Sequence, residues 1–283
     1  NPCLYLKAVK NLTEIKGAKN ANLRDGVSIT KFLFWLKKIM KTKDTNELIA
    51  SEYLLGLRKK NKLFYSLSFE TISAIGKNAA LPHYRVSTSS NSDFLNNKIY
   101  LVDSGAQYLD GTTDITRTIA IGKPTQVMKS QFTRVLKGHI ALASAKFPIG
   151  TTGSQLDTLA RQFLWEVGLD YNHGTGHGVG SFLSVHEGPQ RISKSPSPAV
   201  LRPGMIISNE PGYYERGKFG IRIENLVRVK KVSNRFSFDN LTMVPIDKSL
   251  INKKIMKKEE IIWLNNYHQN VFKKLKKFMN REE

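Results

Sequence analysis

Apolar residues recur with two different periods along this chain, and the change from one to the other divides it into helical and extended stretches. Near residues 20–41, Val27, Phe34 and Leu36 stand among charged neighbours, the pattern of a helix with one buried face. Asp44 and Thr45, with Glu47 beyond them, then offer a helix start for Leu48, Ile49, Leu55 and Leu57. Residues 64–75 and 98–108 read as strands, Asp110-Gly111 is a turn signal, and residues 115–121 return as a strand. A second helical pair covers 126–146 and 153–167, with Leu156, Leu159, Phe163 and Leu164 on one face of the latter. Glycine- and proline-rich sequence fills 172–203. Two further strands follow at 206–210 and 220–229, and a basic helix over 257–278 closes the chain.

Helix pair, strands, helix pair, strands predicts an α+β fold in which helices cover one curved antiparallel sheet. The two halves share this element order without a repeat at the residue level. A chain of 283 residues can bury a sizeable core without disulfides. We expect one domain over 1–283, with 248–283 as a basic helical C-terminal extension. Asn1-Pro2-Cys3 opens without an initiator methionine or a signal-peptide profile, so the expectation is the C-terminal part of a longer protein.

Composition narrows the functional class. The 44 lysines and arginines outnumber 23 aspartates and glutamates, for a net charge of +21. These cations lie singly or in pairs (Lys37-Lys38, Lys59-Lys60, Lys230-Lys231, Lys253-Lys254), and no aromatic-rich RNA-binding sequence accompanies them. No nucleic-acid partner is expected. No apolar run reaches the ~18 residues of a membrane span, so no membrane partner is expected either. The lone Cys3 excludes an internal disulfide and a cysteine-based zinc site, and suits a reducing compartment.

Candidate chemistry gathers in five short stretches. Asp103 ends the apolar Leu101-Val102 run in IYLVDSGAQY, and Asp114 follows the Asp110-Gly111 turn in DGTTDITRT. A hairpin there would bring both carboxylates to one rim of the sheet. An acid at the end of an apolar strand must be paired or metal-bound. Glu210 sits at a strand end in SNEPGYY, and Glu224 shares a strand face with Arg222 in IRIENLV. His177 lies in HGTGHGVG, where glycines allow close backbone approach. Four converging strand-borne acids would repel one another without cations. Carboxylates with one imidazole and no thiolate suit two hard or borderline divalent ions, which can hold one hydroxide and aim it at a carbonyl. No G-x-S-x-G elbow is present, and Ser104 and Ser181 have no distinct base, so activated water fits better than a protein nucleophile. His139, between Leu136 and Ala143 on a helix, reads as a packed structural histidine, and His268 as a surface one.

With these residues in hand, the chain resembles the catalytic domain of the aminopeptidase P (Xaa-Pro aminopeptidase) family, within the methionine aminopeptidase, prolidase and creatinase superfamily. The resemblance runs from about Tyr5 to Tyr267 and rests on DSGAQY, DGTTDITRT, GTGHGVGSFL, VHEGP, NEPGYY and GIRIEN. It implies a pita-bread fold with two divalent metal ions, most often manganese. It implies Asp103, Asp114, His177, Glu210 and Glu224 as ligands, Asp114 and Glu224 bridging, and Glu210 doubling as general base. By the same resemblance His83 is a proton shuttle, His173 and His186 grip the substrate and its developing oxyanion, and Arg222 holds ligating carboxylates in place. The implied activity is metal-dependent hydrolysis of the bond between an N-terminal residue and a following proline, through a metal-bridging hydroxide. Peptides with proline second are the implied partners, and a cytoplasmic homodimer the implied setting. Methionine aminopeptidase and prolidase are the alternatives within the fold. A metal-free binding module is the alternative outside it, although all five ligand positions are intact. One departure stands out: after His83-Tyr84 the family continues with a proline-containing segment, whereas Arg85–Asn91 here is polar.

Overall fold

The computed structural model describes residues 2–39, 45–94 and 97–280. Helices α1 (Cys3–Ala8), α2 (Leu12–Ile39) and α3 (Glu47–Lys59) open the chain. The start of α2 at Leu12, rather than near residue 20, follows from a reciprocal cap. Asn11 Oδ1 accepts from Glu14 N, and Glu14 Oε2 accepts from Asn11 N, both at 2.9 Å. That first stretch is mostly polar, so its helicity leaves no apolar stripe to read. The cap of α3 is Asn46, whose side chain accepts from Ile49 N, rather than Asp44 or Thr45. Asp44, and residues 40–41 of the helix expected from the sequence, lie outside the described residues.

Each long strand of the sequence pattern is broken. The 64–75 stretch splits into β1 (Phe64–Leu67) and β2 (Ile72–Ile75), and 98–108 into β3 (Lys98–Ser104) and β4 (Ala106–Tyr108). The break is at Gly105, where Thr113 O and Ser68 Oγ crowd the space a side chain would take. Strands β5 (Gly111–Thr112) and β6 (Ile115–Ile121) follow. β3 is the centre of an antiparallel ladder, with Ile72 opposite Asp103 on one side and Thr116 on the other.

Helix α4 (Gln126–Ala143), capped by Thr125, stops short of residue 146, because Lys146 enters β7 (Lys146–Pro148). Helix α5 (Gly153–Trp165) precedes the glycine-rich region, which carries β8 (Gly176–His177) and β9 (Arg191–Ile192). The second half then contributes β10 (Ile206–Asn209), β11 (Gly212–Glu215), β12 (Phe219–Arg222), β13 (Asn225–Val232) and β14 (Arg235–Asn240). Strands β10, β13, β14 and β7 form a second antiparallel ladder in that order, and β11 and β12 a hairpin. Residues 220–229 are therefore two strands rather than one. The chain changes sheets at Ile223-Glu224, where Glu224 N donates to Thr116 O of β6 at 3.1 Å. That hydrogen bond joins the two ladders across the centre of the curved surface.

Helices cover it. Phe132, Val135, Leu136 and Ile140 of α4 share a buried cluster with Ile221 and Ile223. Helix α6 (Lys258–Leu275) joins the same cluster through Leu264, Tyr267, Val271 and Leu275. No described helix is long and apolar enough to cross a membrane. His139 is fully buried and held at about 3 by burial and by Arg117, so it is the neutral packing residue expected. His268 differs from expectation. It is half-buried, and its Nε2 accepts from Ile246 N at 3.1 Å, because α6 packs against the core instead of lying free.

Candidate metal centre

The strand changes bring the singled-out acids into one cleft of about 840 Å³. Asp103 sits near the end of β3, Asp114 just before β6, His177 on β8, Glu210 just after β10 and Glu224 at the crossing between β12 and β13. Ligand atoms of Asp103, Asp114 and Glu224 lie within 4.8 Å of one another, as do those of His177, Glu210 and Glu224. His177 Nε2 stands 3.3 Å from both Asp114 Oδ2 and Glu210 Oε1. The carbonyl of Gly178, which can only accept, takes the Nδ1 proton of His177 at 3.0 Å, and this turns Nε2 toward the acids.

Outer groups fix the carboxylates. Arg222 Nη2 donates to Asp103 Oδ2 at 2.6 Å and lies near Glu210, with Nε 4.0 Å from Oε2. It does not pair with Glu224, its neighbour on the strand face; Thr116 Oγ1 donates to Glu224 Oε2 instead, at 2.8 Å. Ser208 Oγ donates to Glu210 Oε1 at 3.0 Å and accepts from His177 N at 2.9 Å. Thr116 and Ser208 were legible in principle, since each lies two residues from a candidate acid and so shares its strand face. Tyr214 was not. Its hydroxyl accepts from Arg222 Nη1 and donates to His173 Nε2, linking residues far apart in sequence.

Of the four candidate histidines of the loops, His173 is tied at both nitrogens. Nδ1 donates to Gly174 O at 2.7 Å, so Nε2 accepts from Tyr214 at 2.9 Å. Burial and the charge of Arg222 push it down to about 3, keeping it neutral. His186 is exposed, its ring 4.0 Å from that of His177, and His83 is exposed on the cleft wall.

The electrostatics call for cations. Burial and the charges of Asp103 and Glu210 push Asp114 up to about 7, although His177 pulls the other way. Burial raises Glu210 and, with its three acidic neighbours, raises Glu224 well above the usual carboxylate range. Burial would lower His177, but its hydrogen bond to Asp114 and the charge of Glu210 outweigh that and raise it to about 9. Asp103 Oδ1 and Glu224 Oε1 are buried acceptors with no hydrogen-bond partner among the described residues. Oxygen donors with one imidazole, two of the oxygens orphaned, fit hard or borderline divalent ions.

Comparison with known proteins agrees with this geometry. Residues 16–231 match the model of metallopeptidase family M24, and residues 234–283 that of the C-terminal region of peptidase M24. The chain is 49% identical over 287 residues to Xaa-Pro aminopeptidase 1 of Dictyostelium discoideum, covering 97% of this chain and 46% of that protein. It is 48% identical over 291 residues to a probable Xaa-Pro aminopeptidase P of Sclerotinia sclerotiorum, covering 98% and 48%. The chain thus spans about half the length of the curated relatives it matches. The crystal structure of X-prolyl aminopeptidase from Caenorhabditis elegans, described as a cytosolic enzyme with a di-nuclear active site, superposes with a TM-score of 0.94. That match has 43% identity and covers 98% of this chain and 46% of that one. An Xaa-Pro dipeptidase from Bacillus anthracis is more distant, at 30% identity and a TM-score of 0.75 over 87% of this chain and 64% of that one. With its α+β pita-bread architecture, the chain belongs to metallopeptidase family M24.

Proposed function

We propose that residues 1–283 form the catalytic domain of an aminopeptidase that hydrolyses the bond between an N-terminal residue and a following proline. The observation that carries this reading is the convergence of Asp103, Asp114, His177, Glu210 and Glu224 in one cleft, with buried carboxylate oxygens facing no donor. Relatives called Xaa-Pro aminopeptidases, 43% and 49% identical, supply the substrate class. The five residues would hold two divalent ions, with Asp114 and Glu224 serving both, and manganese suits a set dominated by carboxylate oxygen. When bound, the ions polarise the scissile carbonyl and make water a nucleophile at neutral pH.

The chain's own groups do the rest. Glu210, oriented by Ser208 and facing Arg222, takes a proton from the attacking water. His186 donates to the oxyanion that develops on the carbonyl, and His83 supplies a proton to the departing proline nitrogen. His173, with both nitrogens engaged, contacts the substrate through its ring. Proline brings no N–H, so the apolar cleft walls of Phe69, Ile72 and Val185 can hold its ring without leaving a donor unpaired. The Caenorhabditis enzyme's cytosolic setting supports a cytoplasmic location. A homodimer is our expectation for the whole protein, and sedimentation tests it.

The test of function is hydrolysis of an Xaa-Pro-Pro tripeptide by metal-stripped protein with manganese added back, beside a Met-Ala-Ser peptide and an Xaa-Pro dipeptide. Release of the first residue from the tripeptide alone is the expected result. Cleavage of the dipeptide alone would move the assignment to prolidase, and of the methionine peptide alone to methionine aminopeptidase.

A further inference from the structure

Beside the metal centre lies a buried ion pair that the proposed chemistry leaves unused. Asp25 of α2 is 2% exposed and Arg58 of α3 fully buried. Arg58 Nε and Nη2 donate to Asp25 Oδ1 and Oδ2 at 2.7 and 2.9 Å. Each carboxylate oxygen takes one further hydrogen bond at 2.9 Å, Oδ1 from the Tyr108 hydroxyl and Oδ2 from the Thr113 hydroxyl. Arg58 Nη2 also donates to Ser104 Oγ at 3.1 Å. Ser104 directly follows Asp103, and Thr113 directly precedes Asp114. The ion pair therefore grips the chain one residue from each of two proposed ligands.

The segment between those grips is closed on itself and backed by the same helix. Thr113 N donates to Ala106 O at 2.9 Å, and Ala106 N donates to Thr113 Oγ1 at 3.0 Å. Helix α2 lies flat against the turn at its tip. Arg24 pairs with Asp110, and a side chain on Gly111 would meet Ala18 Cα and Ala21 Cβ at 3.1 Å.

We infer that Asp25 and Arg58 are positioning residues for the metal centre, fixing the separation of Asp103 and Asp114 through Thr113 and Ser104. This rests on the two-ion reading of the site. Metal–ligand distances tolerate only about 0.2 Å, so a ligand is useful only where its backbone is held. Asp25 accepts four hydrogen bonds, as many as a carboxylate can, so neither Thr113 nor Tyr108 can shift without leaving a buried acceptor empty. A merely structural pair, stapling α2 to α3, would change stability equally with and without metal.

The experiment uses the full chain, with Mn2+ alone as probe. The variants are Asp25→Asn, Arg58→Lys, Ser104→Ala and Thr113→Val; the last two leave the ion pair whole, Ser104→Ala cutting only its tie and Thr113→Val also removing the acceptor of Ala106 N. Calorimetry gives the Mn2+ dissociation constant, and melting with and without saturating Mn2+ gives the metal-induced rise in Tm. We expect Asp25→Asn and Arg58→Lys to bind Mn2+ about 10–100-fold more weakly, the scale for partners of ligands, with a smaller rise in Tm. Ser104→Ala and Thr113→Val should weaken binding in the same direction. An unchanged dissociation constant in those two variants overturns the inference. So does a lowered metal-free Tm in the ion-pair variants with an undiminished metal-induced rise. If the ion-pair variants do not fold, the tie variants decide alone. Wild-type protein that binds no Mn2+ would refute the two-ion reading itself.

Discussion

Replacing Gly220 with alanine should cripple catalysis from outside the metal site. Gly220 lies on β12 two residues before Arg222, and its backbone packs against the 3-10 turn Gly76–Ala80 that leads to His83. A Cβ at Gly220 would stand 2.5 Å from the carbonyl carbon of Ala79, nearer still to its oxygen, and 2.9 Å from Tyr214 Cδ1. Ordinary contact begins at 3.4 Å, so at least about 0.9 Å of separation has to be found from the carbonyl carbon, and more from the oxygen. The obstacle is backbone, which cannot swing aside as the end of a side chain can. The movement must be shared between the turn, four residues from His83, and β12, which carries Arg222. A misplacement near 1 Å costs about 10²-fold in rate, and overpacking costs about 1–3 kcal/mol. Steady-state kinetics on the tripeptide with saturating manganese should therefore show kcat reduced by about two orders of magnitude. Thermal melting should show a lowered midpoint. Wild-type kcat in Gly220→Ala would refute the claim that this contact sets the catalytic geometry.

Other substitutions and conditions have equally definite outcomes. Gly56, exposed on α3 with nothing within 4 Å of a built Cβ, is the opposite case. Gly56→Ala should raise stability by about 0.5–1 kcal/mol, read from denaturant unfolding, and a loss would count against the open space described. Glu210→Ala should abolish turnover while the circular dichroism spectrum stays native. His83→Ala should lower kcat about 10²–10⁴-fold, and near-normal kcat would remove His83 from the mechanism. In metal-free protein, Asp114 stands at about 7 against an ordinary 3.8, and His177 at about 9 against 6.5. The native state then holds protons that the unfolded chain has released. Both contributions are full below the unfolded values and are lost as pH rises through the folded ones. Melting of stripped protein should therefore fall from pH 5 to about 9, and saturating manganese should flatten that slope. A melting temperature that climbs with pH in the stripped protein would contradict the assignment.

Much of the site is legible because each candidate acid stands at or beside the end of a strand, while His177 is marked only by the glycines around it. Leu101-Val102-Asp103 and Ile221-Arg222-Ile223-Glu224 carry their own alternation, and the Asp110-Gly111 turn brings Asp103 and Asp114 together. The sequence pattern matches the 115–121 strand to the residue, since its neighbours are a turn and a loop. Strand ends depart from the sequence pattern where the cause is tertiary. Gly105 breaks one strand because Thr113 and Ser68 occupy its side-chain space, and Glu224 ends another by bonding to Thr116. Strand β11 is hidden in the sequence because Pro211-Gly212 reads as a turn. Strand β14 leaves only the alternation of Phe236 and Phe238, a signal six residues long. Asp25, Arg58 and Tyr214 have no local signature at all. Their roles come from partners brought together only by the fold.

The most direct test of the account is an anomalous difference map at the manganese edge from crystals soaked in Mn2+. Two peaks are predicted in the cleft, one among Asp103, Asp114 and Glu224, the other among His177, Glu210 and Glu224, with Asp114 and Glu224 touching both. One peak only, or peaks away from these five residues, would contradict the two-ion centre on which the proposed peptidase chemistry rests.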